Sequence, residues 1–176
     1  AAGDRCVVTS GARGSSHLLA SARWAARLGL EAICVAGPQP HTAVVEAQFA
    51  ALLGSGARVV CVPRLELTPL VALALRLAGR HRRLIEPGAS GPLGVLGHVA
   101  AGLELGEQVA AGELPCPAEI YVAAGSGGTL GGLLLGLRLA GLRQVQLFGV
   151  QVVPWPVLSR RLIALECRAA LSSLTR

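Results

Sequence analysis

Apolar residues fall in short runs closed by glycine or proline, and these runs alternate with longer stretches in which apolar positions recur every three or four residues. Short runs bounded by turn residues read as buried strands, and the 3.6-residue recurrence reads as helix. Cys6–Ser10 is the first strand, ending at Gly11, and Ser15–Leu28 is a helix closed by Gly29. Ala32–Ala36 is a second strand, followed by Gly37-Pro38-Gln39-Pro40, the helix Thr42–Leu53 and the strand Arg58–Val62. The pattern continues with a helix over Leu67–Ala78, a short strand Leu84–Ile85 and a long helix over Leu93–Ala111. It closes with the strand Glu119–Ala123, the helix Thr129–Ala140, the strand Gln144–Val153 and a last helix from Pro156 onward.

Strands that alternate with helices predict parallel β-α-β units, with helices on both faces of the sheet and right-handed connections. The expected fold class is therefore α/β, three-layer α/β/α with parallel sheet. Two lobes are expected, 1–86 and 87–176, with a boundary near Glu86. No internal repeat of fixed period stands out.

One segment supports a rival reading. Ile120–Leu137 carries no charge, and Gly128, Gly132 and Gly136 have the spacing of a membrane helix-pairing face. Gly125-Ser126-Gly127-Gly128 would then stand mid-span, where successive weak helix formers are costly. The glycines are better read as letting a helix pack closely on a sheet.

Composition changes the picture in three places. Hydrophobic residues make up 52% and charged residues 15%, so most of the chain must be buried and disorder is disfavoured. Lys, Asn and Met are all absent, a bias that a GC-rich coding sequence produces. The net charge of +6 raises nucleic acid as a partner, but the only cluster is Arg80-His81-Arg82-Arg83, with no aromatic stacking platform. Solvated arginine at a helix end explains it better, so no nucleic-acid partner is expected.

Five cysteines, Cys6, Cys34, Cys61, Cys116 and Cys167, lack any CxxC pairing, and three lie in strand-like apolar runs. An odd count in such settings favours a reducing, cytoplasmic compartment. The chain opens at Ala1 close to an apolar strand, and is expected to be a piece of a longer protein.

The chemistry gathers in three turns. Gly125-Ser126-Gly127-Gly128-Thr129 follows a strand and opens a helix, where unpaired N–H groups and the helix dipole favour an anion. Glycines let backbone approach a phosphate closely, and the Ser126 and Thr129 hydroxyls add donors. A dinucleotide fingerprint would need glycine where Leu130 stands, and a P-loop would need a lysine. A tight turn without a ligand is the competing explanation of this motif alone.

Thr9-Ser10-Gly11-Ala12-Arg13-Gly14-Ser15-Ser16-His17 likewise joins a strand to a helix and can hold a carboxylate or phosphate, although Ser15 or Ser16 could simply cap the helix. Here His17 reads as a first-turn residue packed near the site rather than as a base. The third turn is Pro87-Gly88-Ala89-Ser90-Gly91-Pro92-Leu93-Gly94. The three are expected to meet along one edge of a parallel sheet, where open α/β sheets bind ligands.

In this order the three turns, with Leu93-Gly94-Val95-Leu96-Gly97 and Gly149-Val150-Gln151, resemble the D-cysteine desulfhydrase and 1-aminocyclopropane-1-carboxylate deaminase family, from about Val7 to Val153. The resemblance implies a tryptophan-synthase-β-like fold, pyridoxal 5'-phosphate as cofactor, and lyase or deaminase chemistry on a small amino acid. It further implies that Gly125, Ser126, Gly127, Gly128 and Thr129 bind the cofactor phosphate, and that Ser16 faces the cofactor's ring oxygen. Ser15, Ser16 and His17 would contact substrate, with Ser15 meeting its carboxylate or assisting proton transfer. A homodimer of the full-length parent is implied as well. No membrane partner is expected, given the reading of Ile120–Leu137 as a strand, turn and packed helix.

Departures from the family pattern are Ser16 in place of Asn, Gly14 where Gln is frequent, and Ala89 and Gly91 where Gly and Ser often stand. The family's lysine, which carries the cofactor and commonly acts as base, belongs ahead of Ser15-Ser16-His17, and no lysine occurs in the sequence. The segment that meets the pyridine nitrogen is expected beyond Arg176. The piece alone is therefore expected to be inactive or nearly so. The alternative is a catalytically degenerate homologue that binds phosphate or another anion.

Overall fold

The computed structural model describes residues 3–152 and 159–174, which form two compact units, Ala1–Pro87 and Gly88–Arg176. In the first unit the elements are β1 (Cys6–Ala12), α1 (Ser16–Arg27), β2 (Glu31–Gly37), α2 (Ala43–Leu53), β3 (Arg58–Cys61), α3 (Thr68–Leu77) and β4 (Arg82–Leu84). The strands make one parallel sheet in the order β3-β2-β1-β4.

Period-2 alternation divides the strand residues between two cores. Val7, Ala32, Cys34 and Ala36 pack with Leu18, Ala22, Ala25 and Leu52 from α1 and α2. Cys6, Val8, Ile33 and Val35 pack with Ala72 from α3 on the opposite face. This is a three-layer α/β/α arrangement. The chain runs outward from β1 to β2 and β3, then returns to β1's other side as β4. Right-handed crossovers make that reversal compatible only with α3 on the other face.

The helix starts follow from local chemistry. Ser15 caps α1, its Oγ accepting from Leu18 N at 3.4 Å, and Thr42 caps α2, accepting from Val45 N at 3.2 Å. Arg82 and Arg83 lie in the edge strand β4 rather than at a helix end. Arg82 nonetheless donates to Leu75 O in the last turns of α3 at 2.6 Å, and Arg83 pairs with Asp4 at 2.6 Å.

The second unit holds α4 (Pro92–Ala110), β5 (Glu119–Ala124), α5 (Gly128–Leu139), β6 (Gln146–Gln151) and α6 (Arg160–Leu174). β5 and β6 pair in parallel, in register from Glu119 with Gln146 to Ala124 with Gln151. Val153 and the start expected at Pro156 lie outside the described residues.

The glycines of α5 face a helix, not the sheet that the sequence pattern suggested. A Cβ on Gly132 would stand 2.7 Å from Val95 O, and one on Gly136 would stand 2.8 Å from Gly102 Cα. Gly102 and Gly136 thus let α4 and α5 approach backbone to backbone. Among the described residues, no helix is long and apolar enough to cross a membrane.

Candidate functional site

Two sheets, not one, carry the three turns. The Thr9–His17 turn leaves β1 of the four-stranded sheet, whereas Gly125–Thr129 leaves β5 of the two-stranded sheet. The expectation of a single sheet edge is corrected accordingly. Each unit therefore presents its own part of the chemistry.

In the second unit the glycine-rich turn joins β5 to α5. Gly127 is the N-cap of α5 at φ +99, a left-handed conformation that glycine tolerates and L side chains resist. No side chain caps this helix, so its first-turn N–H groups remain available to an external acceptor. Gly127 and Gly128 are buried, and Ser126 and Thr129 are half-buried. The Thr129 hydroxyl lies 3.2 Å from His98 Nε2, which reaches it from α4. The residues from Gly88 to Ser90 close against this turn. A Cβ on Gly88, itself at φ +71, would come 2.6 Å from Ser126 Oγ.

These features fit a phosphate group. The turn is small, its donors are uncapped, and its backbone shape requires glycine at Gly127.

In the first unit the relevant edge is the carboxyl end of β1 and β4. There the strand order reverses, the position at which open α/β sheets take their ligands. Thr9, on β1 and 1% exposed, donates its hydroxyl proton to Ile85 O at 2.9 Å and lies 2.7 Å from His17 Nε2. Burial holds the His17 imidazole below the usual histidine range, so its neutral form is favoured.

The other residues singled out in this turn have partners too. Ser15 Oγ is engaged as the α1 cap, and exposed Ser16 Oγ accepts from Gln48 Nε2 at 3.3 Å. Gly14 N–H donates to Gln39 Oε1 at 2.9 Å, and a Cβ on Gly14 would press Val45 at 2.8 Å. Sequence reasoning missed Gln39, Gln48 and His98. The glycine spacing in α5 signalled a close neighbour, but not that His98 would be part of it.

Among the described residues, no three His, Cys, Asp or Glu side chains gather as a metal site.

The family description for pyridoxal-phosphate dependent enzymes matches residues 1–171. The chain belongs to that family. It is 36% identical to the nocardicin C-9' epimerase of Nocardia uniformis subsp. tsuyamanensis, over 87% of this chain and 48% of the relative. A D-cysteine desulfhydrase of Yersinia pestis is 34% identical over 85% of this chain and 47% of that protein. The solved structure of an ACC deaminase homologue superposes with a TM-score of 0.77 and 27% identity, covering 98% of this chain and 53% of that one. The chain thus spans about half the length of the curated relatives it matches. The tryptophan-synthase-β-like fold and the pyridoxal-phosphate cofactor implied by the resemblance agree with this membership.

Proposed function

We propose that this chain forms part of a pyridoxal-phosphate-dependent enzyme acting on a small amino acid, with Gly125–Thr129 holding the cofactor phosphate. The single observation that carries the assignment is the uncapped start of α5 behind a glycine at φ +99, in a chain of this family. The Gly125, Gly127 and Gly128 amides and the Ser126 and Thr129 hydroxyls supply donors, while His98 orients Thr129. Bound there, the cofactor supplies an electron sink for negative charge next to the amino group.

Ser15, Ser16 and His17 are the substrate contacts proposed for the first unit. The start of α1 offers backbone N–H groups to a carboxylate, and Ser16, at the solvent-facing position, exchanges its Gln48 contact for the ligand. Ser15 spends its oxygen on the helix cap, which favours a binding role over a proton-transfer role. No lysine occurs among the 176 residues, so any lysine amine in the reaction is supplied from outside this sequence, and the chain by itself is inactive or nearly so. The five free cysteines support a reducing, cytoplasmic setting for the full enzyme.

Two outcomes of proton removal compete. D-Cysteine desulfhydrase and 1-aminocyclopropane-1-carboxylate deaminase relatives favour breakdown of the amino acid. The 36% identical epimerase favours return of a proton with inverted configuration. An assay of a longer protein that carries this sequence together with the family's lysine separates them. Ammonia release from D-cysteine or 1-aminocyclopropane-1-carboxylate supports the first, and inversion without ammonia supports the second. Absence of both, with cofactor bound, supports a degenerate binding protein.

A further inference from the structure

The hydrogen-bond geometry around Thr9 determines which nitrogen of His17 carries the proton. A threonine hydroxyl has one proton to give. Ile85 O, 2.9 Å away, can only accept, so the Thr9 proton is directed to it. If that proton went to His17 instead, two oxygens would face each other at 2.9 Å with no proton between them, on a residue 1% exposed. His17 Nε2, 2.7 Å from the same hydroxyl, must therefore be the donor. The neutral ring has its second nitrogen, Nδ1, as a lone-pair acceptor. Among the described residues, Nδ1 has no hydrogen-bond partner.

We infer that Thr9 is a positioning residue that locks His17 as its Nε2–H tautomer, and that His17 Nδ1 accepts a hydrogen bond from an N–H or O–H group of the bound ligand. The inference rests on the pyridoxal reading for the identity of the ligand, though not for the tautomer. The division of labour is chemical. Anionic groups go to helix starts and hydroxyls, and His17 meets the part of the ligand that carries a donor, such as an amine. A carboxylate facing Nδ1 would set two acceptors against each other. The location agrees: the Thr9–Ile85 bond ties β1 to the end of β4, at the reversal point of the sheet.

Long-range 1H–15N correlation spectra of the isolated chain at neutral pH test the lock directly. His17 should show one pyrrole-like nitrogen, Nε2, and one pyridine-like nitrogen, Nδ1. Thr9→Val should scramble this pattern, and Thr9→Ser should restore it. A proton on Nδ1, a doubly protonated ring, or a pattern unchanged in Thr9→Val would overturn the lock. Pyridoxamine, which carries the amine without the phosphate, then probes the acceptor. It should shift His17 Nδ1 out of its pyridine-like range toward that of a hydrogen-bonded nitrogen. An Nδ1 unmoved by pyridoxamine, in a chain whose Gly125–Thr129 amides respond to inorganic phosphate, overturns the acceptor role alone. No response to either probe overturns it together with the pyridoxal reading.

Discussion

Ser90 lies against Gly128, so that a Cβ built on Gly128 would stand 3.2 Å from Ser90 Cα and 3.3 Å from Ser90 Cβ. Two glycine-rich turns separated by the whole of α4 and β5 thus share a packed surface. The backbone of the Gly125–Thr129 turn is supported by Ser90, and its shape is set by packing as well as by its own sequence. Rigid support of this kind keeps backbone donors aimed where an anion will sit.

Replacing Gly127 with alanine should damage binding more than stability. The left-handed conformation costs a residue with a Cβ about 1–2 kcal/mol. Relief of that strain would rotate the amides at the start of α5. Gly127→Ala should lower the midpoint of thermal unfolding modestly and weaken inorganic phosphate binding by about tenfold or more, following the 1.4 kcal/mol per decade relation. Calorimetric titration against the parent chain checks this.

Gly136→Leu should loosen the second unit without touching the turn. Gly136 meets Gly102 and Val99 of α4 at backbone contact, and no rotamer can remove its Cβ from that contact. Overpacking of this kind typically costs about 1–3 kcal/mol. Urea unfolding should show a lower midpoint, whereas the same change at the exposed Gly97, whose Cβ would meet open space within a helix, should not lower it.

The cysteines should separate by reactivity. Cys34 is fully buried and its thiol is pushed up to about 11 by burial, and Cys6 is buried and raised as well. Cys61 and Cys116 are exposed. Mass-mapped alkylation of the native chain at mildly alkaline pH should modify Cys61 and Cys116 and spare Cys6 and Cys34 until denaturant is added.

Acid should weaken the first unit through His17. Its folded-state pKa lies below its ordinary value of 6.5, so the unfolded chain binds the proton more readily. Stability from this group is therefore present above 6.5 and is lost as pH falls from 6.5 toward the depressed folded value. His17→Gln should flatten that part of the stability profile, measured as urea midpoint against pH.

Much of this was legible in the sequence because it is local. The strand and helix alternation follows from apolar runs, Ser15 was one of two expected caps, and Gly127 occupies a turn that only glycine suits. The shifts have identifiable causes. β4 starts at Arg82 because its partners Cys6–Val8 lie there, and an edge strand tolerates charged residues that hide its signature. β6 spans Gln146–Gln151, shorter than the apolar run, because β5 offers partners only from Glu119 to Ala124. The site's cross-links were not legible. His98 and Thr129 stand 31 residues apart, and Thr9 and Ile85 stand 76 apart. The glycines of α5 announced a close contact, yet their spacing is the same whether a sheet or a helix lies opposite.

The central claim is that Gly125–Thr129 holds the phosphate of the cofactor. Titration of pyridoxal 5'-phosphate into 15N-labelled chain, followed by amide spectra, tests it most directly. The Gly125, Gly127, Gly128 and Thr129 amides should shift first and saturably, excess inorganic phosphate should reverse the shifts, and Gly127→Ala should weaken them. Saturable binding that leaves these amides unmoved, or the same affinity in Gly127→Ala, would contradict the account.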